Sequence, residues 1–427
     1  MSNDSGDDNF QQNNEHDIEG NVELQFEGDD TVPFGGDDTD FLSESETEDI
    51  TNTGSEVQFD TNLPTTHKYL GKLNNVSGYT LYDDGEVKTM LAIHTSTLVL
   101  PGFTLPLVMS SDMEKNVMQT YLAQSHVFAL VCADEEGSRI YKYGVTMEVF
   151  ESFVKRETLY LKAKGRQRCK ILSEREVRPL TGRLQQLTVK ILAEPAIISP
   201  INDTQLLVLR KRRKCVVDNY EDFLKYYKYR RYHLAQFAHP AWVYDHNELF
   251  YYVKLILDGL STFYLKDNIP SEPVSLSYWF IQNFELTHEE RLKLMRLNTS
   301  LERLRLEFKY LKMQRIICCA TCKVDIAKQS DVFAMSKDGV QSNYCNPGGY
   351  VYETVTVSKA KNFTLVGQPS KEFSWFPGYT WTIMQCKLCQ VHLGWMFTSK
   401  LLQPPFFYGL ARSGFDIQIV ANEESSE

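Results

Sequence analysis

Between Phe59 and about residue 205 the apolar positions recur with period two. Leu159, Leu161 and Ala163 alternate with Tyr160, Lys162 and Lys164, and Leu187, Val189 and Ile191 repeat the rhythm. Alternation of this kind buries one face of a strand and wets the other. Phe128 to Ala133 and Val145 to Phe150 read as further buried strands. In the run from Leu98 to Leu107, Pro101 and Gly102 supply a turn between an apolar strand and a second apolar run.

From about residue 206 to 312 the period becomes helical. Leu249, Val253, Ile256 and Leu260 fall on one face, behind Asp245 and Glu248 as a candidate capping box. Pro270 and Pro273 break the chain. Thr287 and Glu290 form a second box. Leu294, Leu297, Leu301, Leu304, Phe308 and Leu311 then follow at alternating spacings of three and four, which predicts one long helix of about six turns. Such a seam suits a coiled coil, but a stretch this short is expected to pack against the preceding helices. Beyond residue 313 strand-like runs return at Tyr350 to Val357 and Asn362 to Val366. The fold class is therefore α+β multidomain: a β domain over 59–205, a helical bundle over 206–312 and an all-β domain over 313–422.

Composition alters this picture at the ends. The net charge is −11, yet residues 1–58 hold eighteen Asp or Glu and no Lys or Arg, so the rest of the chain is mildly basic. The acidic stretch is poor in aliphatic residues and cannot bury enough surface to offset its chain entropy, so 1–58 and the short tail 423–427 are expected to be disordered. Its Ser43 to Glu48 run resembles an acidic kinase substrate, although a solvated spacer is the simpler reading. No secretory signal and no run of eighteen apolar residues is present, which points to a soluble intracellular protein with no membrane partner. Arg210 to Lys214, followed by the tyrosine-rich stretch to Tyr232, could bind RNA or serve as a nuclear address. A solvated loop entering a helix explains it more simply, and nucleic acid is not an expected partner.

The chemistry collects near the C-terminus. Cys319 with Cys322 and Cys386 with Cys389 are two C-x-x-C pairs among nine cysteines, a metal pattern and not a disulfide framework. Four thiolates on tight turns meet the needs of one structural Zn2+, which would pin the two ends of the last domain. Cys318 is left as a free buried thiol. Cys345 and His392 are possible ligands, but four thiolates already complete a tetrahedron. Trp375, Trp381 and Trp395, three of the five tryptophans, lie within residues 372–397 beside a Phe376 to Tyr379 turn. They form either a core or a cage with π faces, suited to a flat, partly apolar ring or to a cation such as methyl-lysine.

The residues Ser374 to Tyr379, Trp381, Gln385-Cys386-Lys387, Cys389, His392, Gly394-Trp395 and Phe397 closely resemble the ligand-binding C-terminal domain of the cereblon family. Asn346-Pro347, Gly349 to Val351 and Glu353-Thr354 extend the likeness. The Leu-Pro-Gly turn at 100–102 and the Gly165 to Arg168 element are similar to the N-terminal substrate-binding domain of Lon proteases. No Gly-rich phosphate loop, ATPase or protease segment accompanies them, so the likeness implies a recognition scaffold. The resemblance implies a zinc site and a tri-tryptophan cage for cyclic imides. Trp375, Trp381 and Trp395 would be its walls and Phe397 its floor, with backbone groups of Phe373 and Trp375 holding the imide and Asn346 in a loop at the mouth. Phe373 stands where the family commonly has histidine, and Gly348 replaces another.

The same resemblance implies the substrate-recognition subunit of a cullin-RING ubiquitin ligase. The helical bundle would dock the damaged-DNA-binding β-propeller adaptor, and the cage would capture small glutarimides and protein substrates carrying a C-terminal cyclic imide. Such a protein is not an enzyme and works in cytoplasm and nucleus. The competing reading is a zinc-containing methionine sulfoxide reductase. That reading needs a reactive cysteine late in the domain, whereas none follows Cys389 and Cys345 is the only spare thiol between the pairs.

Overall fold

The computed structural model describes residues 57–71, 74–75, 80–133, 140–155, 157–172, 178–200, 217–234, 239–261 and 269–420. The chain divides into two compact units, Met1–Gly54 and Ser55–Glu427, and every described residue belongs to the second. The runs Ser43 to Glu48 and Arg210 to Lys214 and the tail 423–427 lie outside the described residues. So does residues 1–56 of the expected disordered segment. Its last two residues differ from expectation, because Val57–Gln58 form a strand, β1.

Strands β2 (Asn74–Asn75), β3 (Val87–Thr95), β4 (Thr104–Met109) and β5 (Val127–Ala133) open the first sheet, with helix α1 (Asp112–Leu122) between β4 and β5. The sheet continues through β6 (Ile140–Lys155), β7 (Thr158–Ile171), β8 (Arg178–Thr181) and β9 (Leu184–Ile191). Its order is β2-β6-β5-β3-β9-β7-β4, with β8 on β9, and a further β6–β7 pairing closes five strands into a ring. Closure removes the free edges that an open sheet must protect. Period-two alternation sends Met90, Ala92, Ala129 and Val131 to one core and Leu91, Ile93, Phe128 and Leu130 to another. Both faces of β5 and of residues 90–93 of β3 are thus buried, which explains the apolar runs there.

The Leu98–Leu100 run, expected to be a strand, is an unpaired buried segment leading into the Pro101–Gly102 turn. The turn is docked on β7, where Gly102 N–H donates to Gly165 O and Gly165 N–H donates to Phe103 O, both at 2.9 Å. A Cβ on Gly165 would stand 2.4 Å from the Leu100 carbonyl oxygen, so only glycine permits this approach.

Among the described residues six further helices follow: α2 (Tyr220–Leu234), α3 (Ala241–Asn247), α4 (Leu249–Leu260), α5 (Pro273–Asn283), α6 (His288–Arg296) and α7 (Ser300–Leu311). The face of α4 expected to be apolar is buried at Leu249, Val253, Ile256 and Leu260. The Asp245–Glu248 box is corrected: Asp245 lies inside α3, and Glu248 caps α4 by accepting from Phe250 N–H. Pro273 opens α5, where its missing N–H costs nothing, and Glu272 caps it.

The expected long helix is two helices. Thr287 and Glu290 form the anticipated capping box, but Thr299 and Glu302 form another and restart the chain as α7. Arg168 holds the break open. Its guanidinium donates to the carbonyls of Met295 at 2.9 Å, Leu297 at 2.6 Å and Asn298 at 3.2 Å, groups that a continuous helix would have consumed. Arg168 and Arg303 also share Glu194, at 2.6 and 2.7 Å.

The C-terminal region has two sheets. β10 (Gln314–Cys319), β11 (Asp325–Lys328) and β19 (Phe415–Val420) pair in the order β11-β10-β19. The larger sheet uses β12 (Gln341–Cys345), β13 (Val351–Val357), β14 (Phe363–Ser370), β15 (Thr380–Cys386), β16 (His392–Thr398) and β18 (Phe406–Ala411), in the order β12-β13-β18-β16-β15-β14. The remaining strand, β17 (Leu402–Gln403), pairs in parallel with β1. This brings Phe59 against Phe376 and Tyr379, with ring centroids at 6.2 and 5.4 Å.

Candidate metal centre and tryptophan site

Cys319 ends β10 and Cys386 ends β15, and each leads into a turn of the same construction. Lys323 N–H donates to Cys319 O at 3.0 Å, and Gln390 N–H donates to Cys386 O at 2.9 Å. Lys323 and Gln390 both take left-handed φ, 61° and 60°. The second cysteine of each pair is thereby turned toward the other knuckle. The four Sγ atoms of Cys319, Cys322, Cys386 and Cys389 lie within 4.8 Å of one another, with the cross-pairs Cys319–Cys389 and Cys322–Cys386 at 3.5 Å. A zinc–sulfur bond of about 2.3 Å gives a tetrahedral edge of about 3.8 Å, so these sulfurs fit a single Zn2+. The chain therefore has one structural zinc site built from all four thiolates, and its position ties β10 to β15 across two sheets.

The spare groups lie elsewhere. Cys318 is buried on the other side of β10, its thiol donating to Asp416 O at 3.4 Å. Cys345 packs with Leu70 and Val108, and burial pushes its thiol up to about 12. His392 stands against Trp395 at 4.7 Å, outside the sulfur cluster.

The tryptophan site is laid out by strand register. Trp381 pairs with Phe397 across β15 and β16, and Ile383 pairs with Trp395, so Trp381, Trp395 and Phe397 share one face of the sheet. Trp375 comes from the loop between β14 and β15 and meets Trp395 edge-to-face at 4.7 Å and 74°. These two indoles make a right-angled corner. Trp381 has no ring contact with either among the described residues. Its Nε1–H donates to Glu372 O at 2.7 Å, which pins the loop 371–379 beside it. Phe397 is fully buried beneath, stacked on Phe407 at 5.0 Å. Gly409 keeps room for that ring, since a Cβ there would lie 2.9 Å from Phe397.

Phe373 has no ring contact with the indoles among the described residues. Its φ is 51° and its side chain is 56 % exposed, so the ring faces solvent while the peptide stays in the loop held by Trp381. Asn346 has a local role: its Oδ1 accepts from Tyr350 N–H at 2.8 Å and closes the β12–β13 hairpin. No hydrogen bond or ring contact joins it to the indoles among the described residues.

Sequence reasoning missed the layer behind the indoles. Tyr344 stacks on Trp375 at 5.0 Å and 10°, and Tyr352 stands edge-on to Trp395 at 4.9 Å. Alternation along β12 and β13 was the signal that could have placed both rings on the sheet face toward Trp375.

A closed strand ring with helices is followed by a zinc-stapled β domain, a two-module architecture. Residues 89–313 match the family described as the ATP-dependent protease La (LON) substrate-binding domain. Residues 315–403 match Yippee zinc-binding/DNA-binding /Mis18, centromere assembly. The chain is 33% identical to protein cereblon of Gallus gallus over 378 residues, covering 84% of each. It is 33% identical to the Xenopus tropicalis protein over 407 residues (89% of this chain, 90% of the relative) and 32% to the Danio rerio protein over 410 (90% and 94%). The chain belongs to the cereblon family.

Proposed function

We propose that this protein is the substrate-recognition subunit of a cullin-RING ubiquitin ligase, and that the indoles of Trp375, Trp381 and Trp395 enclose a cyclic imide. The observation that carries the reading is the corner of Trp375 and Trp395 with Trp381 standing apart, beside a loop whose Phe373 and Trp375 peptide groups have no hydrogen-bond partner among the described residues. Apolar walls with backbone donors and acceptors suit a neutral ring bearing an N–H between carbonyls. Ubiquitin transfer would take place on partner subunits, leading to proteasomal degradation, so this chain needs no catalytic group. The high pKa of Cys345 also disfavours the reductase reading, which requires a thiolate.

The β-propeller adaptor would dock on the helices of 206–312. Trp242 on α3, 70 % exposed on that bundle, would lie in the contact. The protein would act in cytoplasm and nucleus. Titrating the full chain with a glutarimide and, separately, with trimethyl-lysine tests the cage. Binding of the imide near micromolar, about −8 kcal/mol, supports the proposal, and preference for the cation overturns it. Copurification of a cullin and a β-propeller adaptor with the full chain, weakened by Trp242→Ala, tests the second half.

A further inference from the structure

Three buried amide side chains line one small cavity where β4, α5 and β12 meet. They are Gln282, Gln341 and Asn343, with Thr104, His67 and Asp338 also on its wall. All three amides are almost completely buried. Their partners fix which atoms remain. Arg412 donates to Gln341 Oε1 at 3.2 Å, so the group left over is the Nε2 donor. Asn343 Nδ2 donates to Thr104 O at 3.3 Å, so Oδ1 is left over as an acceptor. Neither amide atom of Gln282 has a partner among the described residues.

Buried polar groups in folded proteins are almost always satisfied, by protein or by internal water. The mixture here selects the ligand. A cation would be repelled by Gln341 N–H and an anion by Asn343 C=O, whereas water donates and accepts. The cavity offers about 10 Å³ to the centre of a water molecule, enough for one. We propose that Gln282, Gln341 and Asn343 form a specific site for a single internal water. That water joins the helical bundle to the zinc domain at β12, beside the Thr104 carbonyl at the start of β4. The inference is independent of the cage reading.

A crystal structure of the full chain that orders internal water is the direct test. The expected result is one water peak within about 2.7–3.2 Å of at least three of the five unpartnered atoms on the wall, the four amide atoms and Ser342 Oγ. Gln282→Met keeps the volume and removes both of its polar atoms. The peak should then vanish, and amide exchange over residues 341–345 should quicken roughly tenfold, the scale of one lost hydrogen bond, with zinc content unchanged. A dry cavity, a direct Gln282–Asn343 hydrogen bond, a bound ion in the wild-type crystal, or unchanged exchange in the variant would each overturn the proposal. Should the variant fail to fold, the wild-type crystal together with oxygen-17 relaxation, which counts long-lived internal waters, still decides.

Discussion

Arg291 of α6 and Glu353 of β13 meet fork to fork, Nη2–Oε1 at 3.1 Å and Nη1–Oε2 at 3.2 Å, both buried. The Leu98 backbone completes the pair. Its carbonyl accepts from Arg291 and its N–H donates to Glu353, each at 3.2 Å. One ion pair therefore fastens the strand ring, the helices and the zinc domain, and it explains why Leu98 belongs to no strand.

Removing one member leaves a buried charge alone, so Arg291→Met should cost about 3–5 kcal/mol. The double variant Arg291→Met, Glu353→Leu should recover most of that loss. Urea midpoints of the three proteins check it, and a double variant no better than the single would contradict the argument.

Cys386→Ser should reduce bound zinc from one per chain to well below it and loosen β10 and β15 together, because metal affinity at such sites is worth on the order of 10 kcal/mol of folding free energy. Metal analysis beside near-ultraviolet circular dichroism measures both effects. Cys318→Ser should retain the zinc.

Trp381→Ala should abolish measurable glutarimide binding while sparing zinc, since the indole holds the loop at Glu372 and no metal ligand. Phe373→Gly suits the left-handed backbone at 373 and should leave affinity within about twofold. Calorimetric titration of both variants reads the difference.

His67 is buried against Tyr344, with Nδ1 2.9 Å from the Tyr69 hydroxyl. Burial first, and then Lys162, holds its pKa down to about 3, against an ordinary 6.5. The unfolded chain takes up a proton below pH 6.5 that the folded chain refuses. Stability from this group is full above about pH 6.5 and declines as pH falls toward 3, by up to ~1.4 kcal/mol per unit. Melting temperatures from pH 7 to 5 should fall less steeply for His67→Asn, a residue that tolerates the positive φ.

Glu307 works in the opposite direction. It is fully buried on α7, and burial raises its carboxyl well above the usual 4.5 despite the nearby Arg303. A raised acid pKa means stability is lost as pH climbs past 4.5. Glu307→Gln should therefore stabilise the protein at pH 7 by roughly 1–3 kcal/mol and show little effect at pH 4. Denaturant curves at the two pH values distinguish this from a generic packing change.

The strands were legible because their alternation is local, and the sulfur site because C-x-x-C spacing encodes a knuckle without tertiary help. The break between α6 and α7 was half legible. Thr299 and Glu302 spell a capping box, but the apolar seam runs through Leu297 and masks it. The deciding residue, Arg168, lies far away in the sequence. The tyrosines behind the indoles were hidden for the same reason, since Tyr344 reaches Trp375 only through sheet order. The Asp245–Glu248 reading failed because Asp245 already lies inside a short helix, α3.

The parallel pairing of Val57–Gln58 with Leu402–Gln403 also sets a schedule for biosynthesis. Val57 leaves the ribosome 345 residues before its partner Leu402. At about 5–20 residues per second that wait is on the order of half a minute. For most of it Phe59 has no ring pocket, because Phe376, Tyr379 and Phe407 are still to be made. The nascent chain must therefore carry an unsheltered aromatic at Phe59 until residues 376 to 407 have been made. A chaperone that recognises exposed aromatic segments would find its binding site there, and release would coincide with closure of β17 over β1.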